Sequence, residues 1–403
     1  MTEGYAKYAP GYFRIATVQD ECVIVTDRDK VAEYLRAPDD VLSMQDAAND
    51  QQQLAFTMGY GVAHRTYHTP IVRTKLTQSI KTHLEAMQAE IQSSLDDLIG
   101  YPTEWTPFTI YRLMAMVVAR TSNRVTVSDG LHKDPVFLNT AIDYAEAVVL
   151  SAELVRPFPN WMKHIVIRLT PVWSCRRRAT KFLEPILTKR LKGDFDQGKK
   201  PEDLLQWLMD AAPPIERNIP HMVERIMSMN VASIHTTTMT FTGALFKLAA
   251  EPEKYTPELR QELEQVLKEG PLTKDRLTQL RKMDSFLRES ARLNNSGLPR
   301  PIPITFTSFK TNIGPLILVA IQRNAKKTFT FSDGTVIPAG AKIGSPTRFA
   351  HRDPKIYKNP EEFDGFRFAR IRDGTTDNTV SASYQAISTA PELHVFGHGK
   401  HAW

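Results

Sequence analysis

The chain has 403 residues and a formal net charge of +6, from 51 Lys and Arg against 45 Asp and Glu, and its positive residues are interleaved with acids instead of gathering with aromatics into a stripe, which excludes a nucleic-acid partner. Two cysteines cannot frame a disulfide scaffold and point to a reducing compartment, and no apolar run reaches the about 18 to 20 residues of a membrane-spanning helix. No Pro/Gly/Ser-rich linker or sustained charge run divides the chain, so it reads as one large domain over 1–403, mainly α with small β-sheets.

Tyr12 to Thr17 and Cys22 to Thr26 alternate or run apolar as two paired strands, with Cys22 in a buried one, and Asp27 to Arg36 reads as a short helix capped by Thr26 or Asp27. From Val41 to Gly61 the pattern is polar and irregular. Thr69-Pro70 opens a helix with a capping residue and a proline at its first position, and apolar residues recur at Leu76, Ile80, Leu84, Met87 and Ile91. Ile110 to Arg120 and Ala141 to Val155 are apolar nearly all round, as buried helices are. Pro171 to Leu191, Glu202 to Ala212 and Ile219 to Ala250 continue the helical series, the last spanning roughly 45 Å at 1.5 Å per residue. Cys175, followed by Arg176-Arg177-Arg178, reads as a surface thiol. Lys274 to Leu293 carries Leu277, Leu280, Met283, Phe286 and Leu287 on one side, the period of a single helix. Leu298 to Leu318 has four prolines and no useful period. Phe329 to Pro338 is a strand, an Asp333-Gly334 turn and a return strand, and Glu361 to Arg370 is a loop rich in aromatics.

Four stretches carry chemistry. Phe396-Gly397-His398-Gly399-Lys400-His401-Ala402-Trp403 is a glycine loop that brings backbone amides towards its eighth side chain. A cysteine thiolate so placed can ligate haem iron, but Trp403 offers one N–H and no lone pair for a metal. Glu289 and Arg292 stand three apart on one helix face, Phe363-Asp364-Gly365-Phe366-Arg367-Phe368 supplies a second arginine, and Ala232-Ser233-Ile234-His235-Thr236-Thr237 lies in the long apolar helix. In this order and spacing the chain resembles the cytochrome P-450 family from Tyr5 to Ala402, and is similar above all to fungal members that act on terpenoid-like substrates.

The resemblance implies a cytochrome P-450-like helical domain holding haem b. Its activity would be a haem-thiolate monooxygenase that takes dioxygen and electrons from an NADPH-cytochrome reductase and hydroxylates a small apolar, terpenoid- or steroid-like substrate at the endoplasmic reticulum membrane. It casts Thr236 as the alcohol that assists proton delivery and puts His235 where an acid is usual, as a second relay candidate. Arg73, Arg323 and His401 match contacts to the haem propionates, although Thr69 stands where a tryptophan usually precedes the arginine by four. Phe396 would pack on the thiolate side of the haem, and Glu289, Arg292 and Arg367 would form a structural trio beneath it. Because the axial cysteine falls at Trp403, no metal ligand is present and this chain is expected to be inactive. The alternative is a non-catalytic helical ligand-binding or interaction protein that has lost haem.

The family passes from Arg292 to the residue matched by Arg323 in about a dozen residues, a normal connection length, where 31 positions separate them here. Residues 298–318 are therefore expected to be an insertion or a retained intron. Relative to microsomal members, which begin with a membrane anchor and a proline-rich hinge, the chain is expected to be truncated at both ends. An intron read through inside the cysteine codon would turn that codon into the tryptophan of Trp403.

Overall fold

The computed structural model describes residues 1–16, 21–195, 198–294, 320–375, 377–395 and 397–401; the expected insertion at 298–318, Phe396 and Trp403 lie outside the described residues. Helix α1 (Thr2–Tyr8) precedes β1 (Tyr12–Ala16) and β2 (Glu21–Val25), which pair antiparallel with Tyr12 opposite Val25. Asp27 caps α2 (Arg28–Arg36), accepting from the N–H groups of Asp29 and Lys30 at 2.9 and 3.0 Å.

The stretch expected to be irregular instead holds β3 (Leu42–Ser43), α3 (Met44–Gln52), α4 (Leu54–Thr57) and α5 (Tyr60–His64). Each helix is shorter than three turns, too short for an apolar period to register in sequence. The helix placed at Thr69 starts earlier, as α6 (His68–Ile71) with Tyr67 at its N-cap. It passes through a π turn at Val72–Leu76 and continues as α7 (Thr77–Leu98).

The series then runs α8 (Ile110–Thr126), α9 (Pro135–Val155), α10 (Asn160–Val166), α11 (Pro171–Leu191), α12 (Leu204–Ala211), α13 (Ile219–Ala250) and α14 (Pro252–Lys268). The single helix expected from Lys274 breaks into α15 (Lys274–Leu277) and α16 (Arg281–Leu293). Strand β4 (Ala320–Ala325) is followed by the hairpin β5 (Phe329–Thr330) and β6 (Val336–Ile337), whose turn uses Gly334 at φ +85°. Then come β7 (Lys342–Ser345), α17 (Thr347–Ala350), α18 (Arg367–Asp373), which takes the end of the expected aromatic loop, and α19 (Asn378–Ser383).

The chain packs as two compact units. One comprises Met1–Ala48, Gly243–Pro271 and Thr278–Trp403. Its sheet runs β1-β2-β7-β4-β3, with β2 and β7 parallel, over a core that includes Val25, Tyr34, Leu42, Phe331 and Ile343. A second nest in this unit sets Tyr255, Phe286, Phe363 and Phe366 edge to face with centroids 5.1 to 5.5 Å apart. Gly365 is required beside it, because a Cβ there would lie 2.6 Å from the Phe286 ring.

The other unit comprises Asn49–Thr242 with Leu272–Leu277 and is helical in its described residues. Helices α9 and α11 pack together there, α11 turning Val172, Cys175, Ala179, Leu183 and Leu187 inward at helical spacing. Cys175 is thus 3% exposed and not a surface thiol. The adjacent arginines masked a position that belongs to the buried stripe. Among the described residues, no helix is long and apolar enough to cross a membrane.

Candidate functional site

Helical spacing puts Glu289 and Arg292 on one face of α16, and the structure buries both completely. Arg292 grips the carboxylate with both prongs, Nε to Oε2 and Nη2 to Oε1, each at 2.7 Å. Arg367, the first residue of α18, adds Nε to Oε1 at 3.1 Å, and the Asp364 N–H donates to the same oxygen at 3.2 Å. The remaining guanidinium N–H groups go to main-chain carbonyls. Arg292 reaches those of His351 at 2.6 Å, Pro360 at 2.7 Å and Glu362 at 3.3 Å, and Arg367 reaches those of Lys358, Asn359 and Glu362. Two cations share one buried anion, and the carbonyl dipoles supply the rest of the compensation that burial demands. The arrangement braces residues 351–367 against α16; it holds no exposed group for chemistry.

Arg323 sits on β4 at 3% exposure. Among the described residues its guanidinium has no carboxylate within ion-pair distance; Nη1 donates to the Gln322 carbonyl at 2.9 Å. Burial lowers its pKa, partly offset by Tyr34 and Asp39. A buried guanidinium with so few partners is a ready receptor for a carboxylate. His401 lies in the short 3-10 turn Gly399–His401 and meets Asp39 at 2.7 Å through Nε2. Gly397 and Gly399 take φ of +78° and +70°, the left-handed conformation that their loop positions require.

In the helical unit, Thr236 is half-buried on α13 and its hydroxyl donates to the Ala232 carbonyl at 2.7 Å, the ordinary back-bond of a helical threonine. His235 is held at both ring nitrogens: Nε2 meets the Ile142 carbonyl at 2.8 Å and Nδ1 meets the Tyr111 hydroxyl at 2.8 Å. A carbonyl only accepts, so Nε2 carries the proton there. Tyr111, which sequence reasoning passed over, is thereby the partner of His235. Arg73 lies exposed in the π turn Val72–Leu76.

The donor set does not fit a thiolate-bound haem. Two cysteines are all the chain has. Cys22 is 3% exposed in β2, and burial pushes its thiol up to about 11. Cys175 is equally buried in α11, its pKa raised by burial against the pull of Arg178 Nη2 at 3.2 Å from the sulfur. Both are therefore protonated thiols inside regular structure, without an amide-lined loop, and the loop position that should carry the sulfur is Trp403.

Sequence reasoning also missed His351 and His394, both buried beside the trio and the loop. Neither lies in a periodic segment, so nothing in the pattern marked them.

The family model described as Cytochrome P-450 matches residues 1–302 and 313–402. Cytochrome P-450 monooxygenase 151 of the fungus Postia placenta is 33% identical over 413 aligned residues, which cover 100% of this chain and 77% of that protein. Cytochrome P-450 monooxygenase BOA4 of Botryotinia fuckeliana is 30% identical with the same coverage of each. Among solved structures, the retinoic acid bound cyanobacterial CYP120A1 superposes with a TM-score of 0.66 over 100% of this chain and 81% of its own, at 16% identity. The chain belongs to the cytochrome P-450 family, a family of monooxygenases and hence of oxidoreductases.

Proposed function

We propose that this protein carries the frame of a monooxygenase for a small apolar substrate of terpenoid or steroid type, partnered by an NADPH-dependent reductase at the endoplasmic reticulum membrane, and that with tryptophan at position 403 the chain does not form the haem-thiolate centre. The observation that carries the second half is the donor set, two cysteines that are both buried and both raised in pKa. The frame is supported by the trio around Glu289 and by Arg323, a buried cation suited to a carboxylate such as a haem propionate. Thr236 and His235 remain the proton-handling candidates, with His235 oriented by Tyr111 and the Ile142 carbonyl. Residues 298–318 are read as an insertion; the break in the family match, 303–312, falls inside them.

The test is to express the chain with a haem precursor, reduce it and add carbon monoxide. No thiolate-type ferrous spectrum is expected, and its appearance overturns the proposal. Trp403→Cys should gain that spectrum if the frame holds haem. The donor-set misfit also favours a second reading, a haem-free helical ligand-binding or interaction protein. That reading stands if Trp403→Cys stays haem-free while the unaltered chain binds an apolar terpenoid.

A further inference from the structure

Two buried histidines join the charged trio to the glycine loop. Arg292 sends Nη1 to the His351 carbonyl at 2.6 Å, and the His351 ring answers with Nδ1 on the Arg292 carbonyl at 3.2 Å. Its other nitrogen, Nε2, accepts the backbone N–H of His394 at 3.2 Å. The His394 ring donates from Nδ1 to the Pro391 carbonyl at 3.0 Å and accepts the Thr347 hydroxyl at Nε2 at 3.1 Å. Its own carbonyl accepts the N–H of Gly397 at 3.1 Å. The rings lie 5.3 Å apart at 60°, with exposures of 0% for His351 and 1% for His394.

Carbonyl oxygens accept and the His394 backbone N–H donates, so the His351 ring is neutral with its proton on Nδ1, and His394 also carries a proton on Nδ1. The Thr347 hydroxyl can donate or accept, and burial, which pushes His394 down to about 4, keeps that ring neutral and leaves its Nε2 to accept. Every ring nitrogen is then used, and a continuous chain of bonds runs from Glu289 through Arg292, His351 and His394 to Gly397. We propose that His351 and His394 are positioning residues that carry the geometry of the Glu289, Arg292 and Arg367 trio into the Gly397–His401 loop. The loop's place is thereby set from α16 and not by what the loop binds, whether or not the chain takes up haem. The competing anchors are the contacts of His398 with Thr389 at 3.0 Å and of His401 with Asp39 at 2.7 Å.

Hydrogen exchange followed by mass spectrometry on the haem-free 403-residue chain separates the two. His351→Leu should speed exchange of the peptide covering 394–401 by about tenfold, the worth of one buried hydrogen bond, while the peptide with Glu289 and Arg292 exchanges as before. His351→Gln, which keeps one donor and one acceptor on the side chain, should restore part of the protection. Unchanged exchange over 394–401 overturns the proposal in favour of the competing anchors. Equal loss over α16 overturns it in favour of a merely structural histidine. Should the leucine variant not fold, 15N spectra of histidine-labelled unaltered chain decide: His351 and His394 must both read as Nδ1-protonated, and an Nε2-protonated ring at either position overturns the relay.

Discussion

Arg292→Ala tests whether the trio holds its region together or merely decorates it. The substitution deletes two 2.7 Å bonds to Glu289 and the donors to the carbonyls of His351, Pro360 and Glu362. Glu289, at 0% exposure, keeps Arg367 Nε at 3.1 Å and the Asp364 N–H at 3.2 Å. Breaking a buried ion pair costs about 3 to 5 kcal/mol, and because this carboxylate is not left wholly unpaired the low end applies, about 3 kcal/mol. At 1.36 kcal/mol per tenfold, local opening of α16 should become roughly 150-fold easier, which native-state hydrogen exchange over residues 281–293 reads directly. Arg281→Ala is the control. Its partner is Asp373, with side chains 51% and 62% exposed, and such a pair contributes at most about 1 kcal/mol. Joint replacement of Glu289 and Arg292 by leucine should cost less than the sum of the two single changes, since they share a bond. If Arg292→Ala exchanges within fivefold of the Arg281 control, the reasoning from burial is refuted.

Native protein at pH about 8 should leave Cys22 and Cys175 unlabelled by a thiol reagent over minutes, with both labelled once it is denatured, because burial raises both thiols; rapid labelling of either would contradict its environment. The histidine pair makes the Thr347–Ala350 and 389–394 segments acid-sensitive. Burial first, then His394, Arg292 and Arg352, hold His351 well below its usual range, and burial with His398 pushes His394 down to about 4. The unfolded state, with histidine near 6.5, binds the extra protons, so this stability is fully present above about 6.5 and is lost as pH falls towards 4. For His394 the loss is on the order of 3 kcal/mol. Exchange rates there, corrected for intrinsic pH dependence, should rise across that window and flatten in His394→Gln; a flat profile in the unaltered chain would refute the neutral-ring assignment.

Much of the helical series was legible in the sequence because its signals are local. The limits of α13 and α11 follow from apolar period and, for α11, a proline in its first turn, all within the helix itself. The pair Glu289 and Arg292 was equally legible, being three apart on one helix. Tertiary structure decided the rest. Residues 41–61 fold into pieces too short to show a period, Cys175 belongs to an inward stripe that its arginine neighbours concealed, and the helix begun at Lys274 breaks before Arg281. The order β1-β2-β7-β4-β3 pairs Cys22 with Lys342, and no property of either strand specifies so distant a partner. Arg367 reaches Glu289 across 78 positions, and the His394 N–H reaches the His351 ring from one loop to another. Capping and periodicity are written into neighbouring residues, whereas the partners of buried charges and imidazoles are set by which segments the core brings together, and only the folded chain determines that.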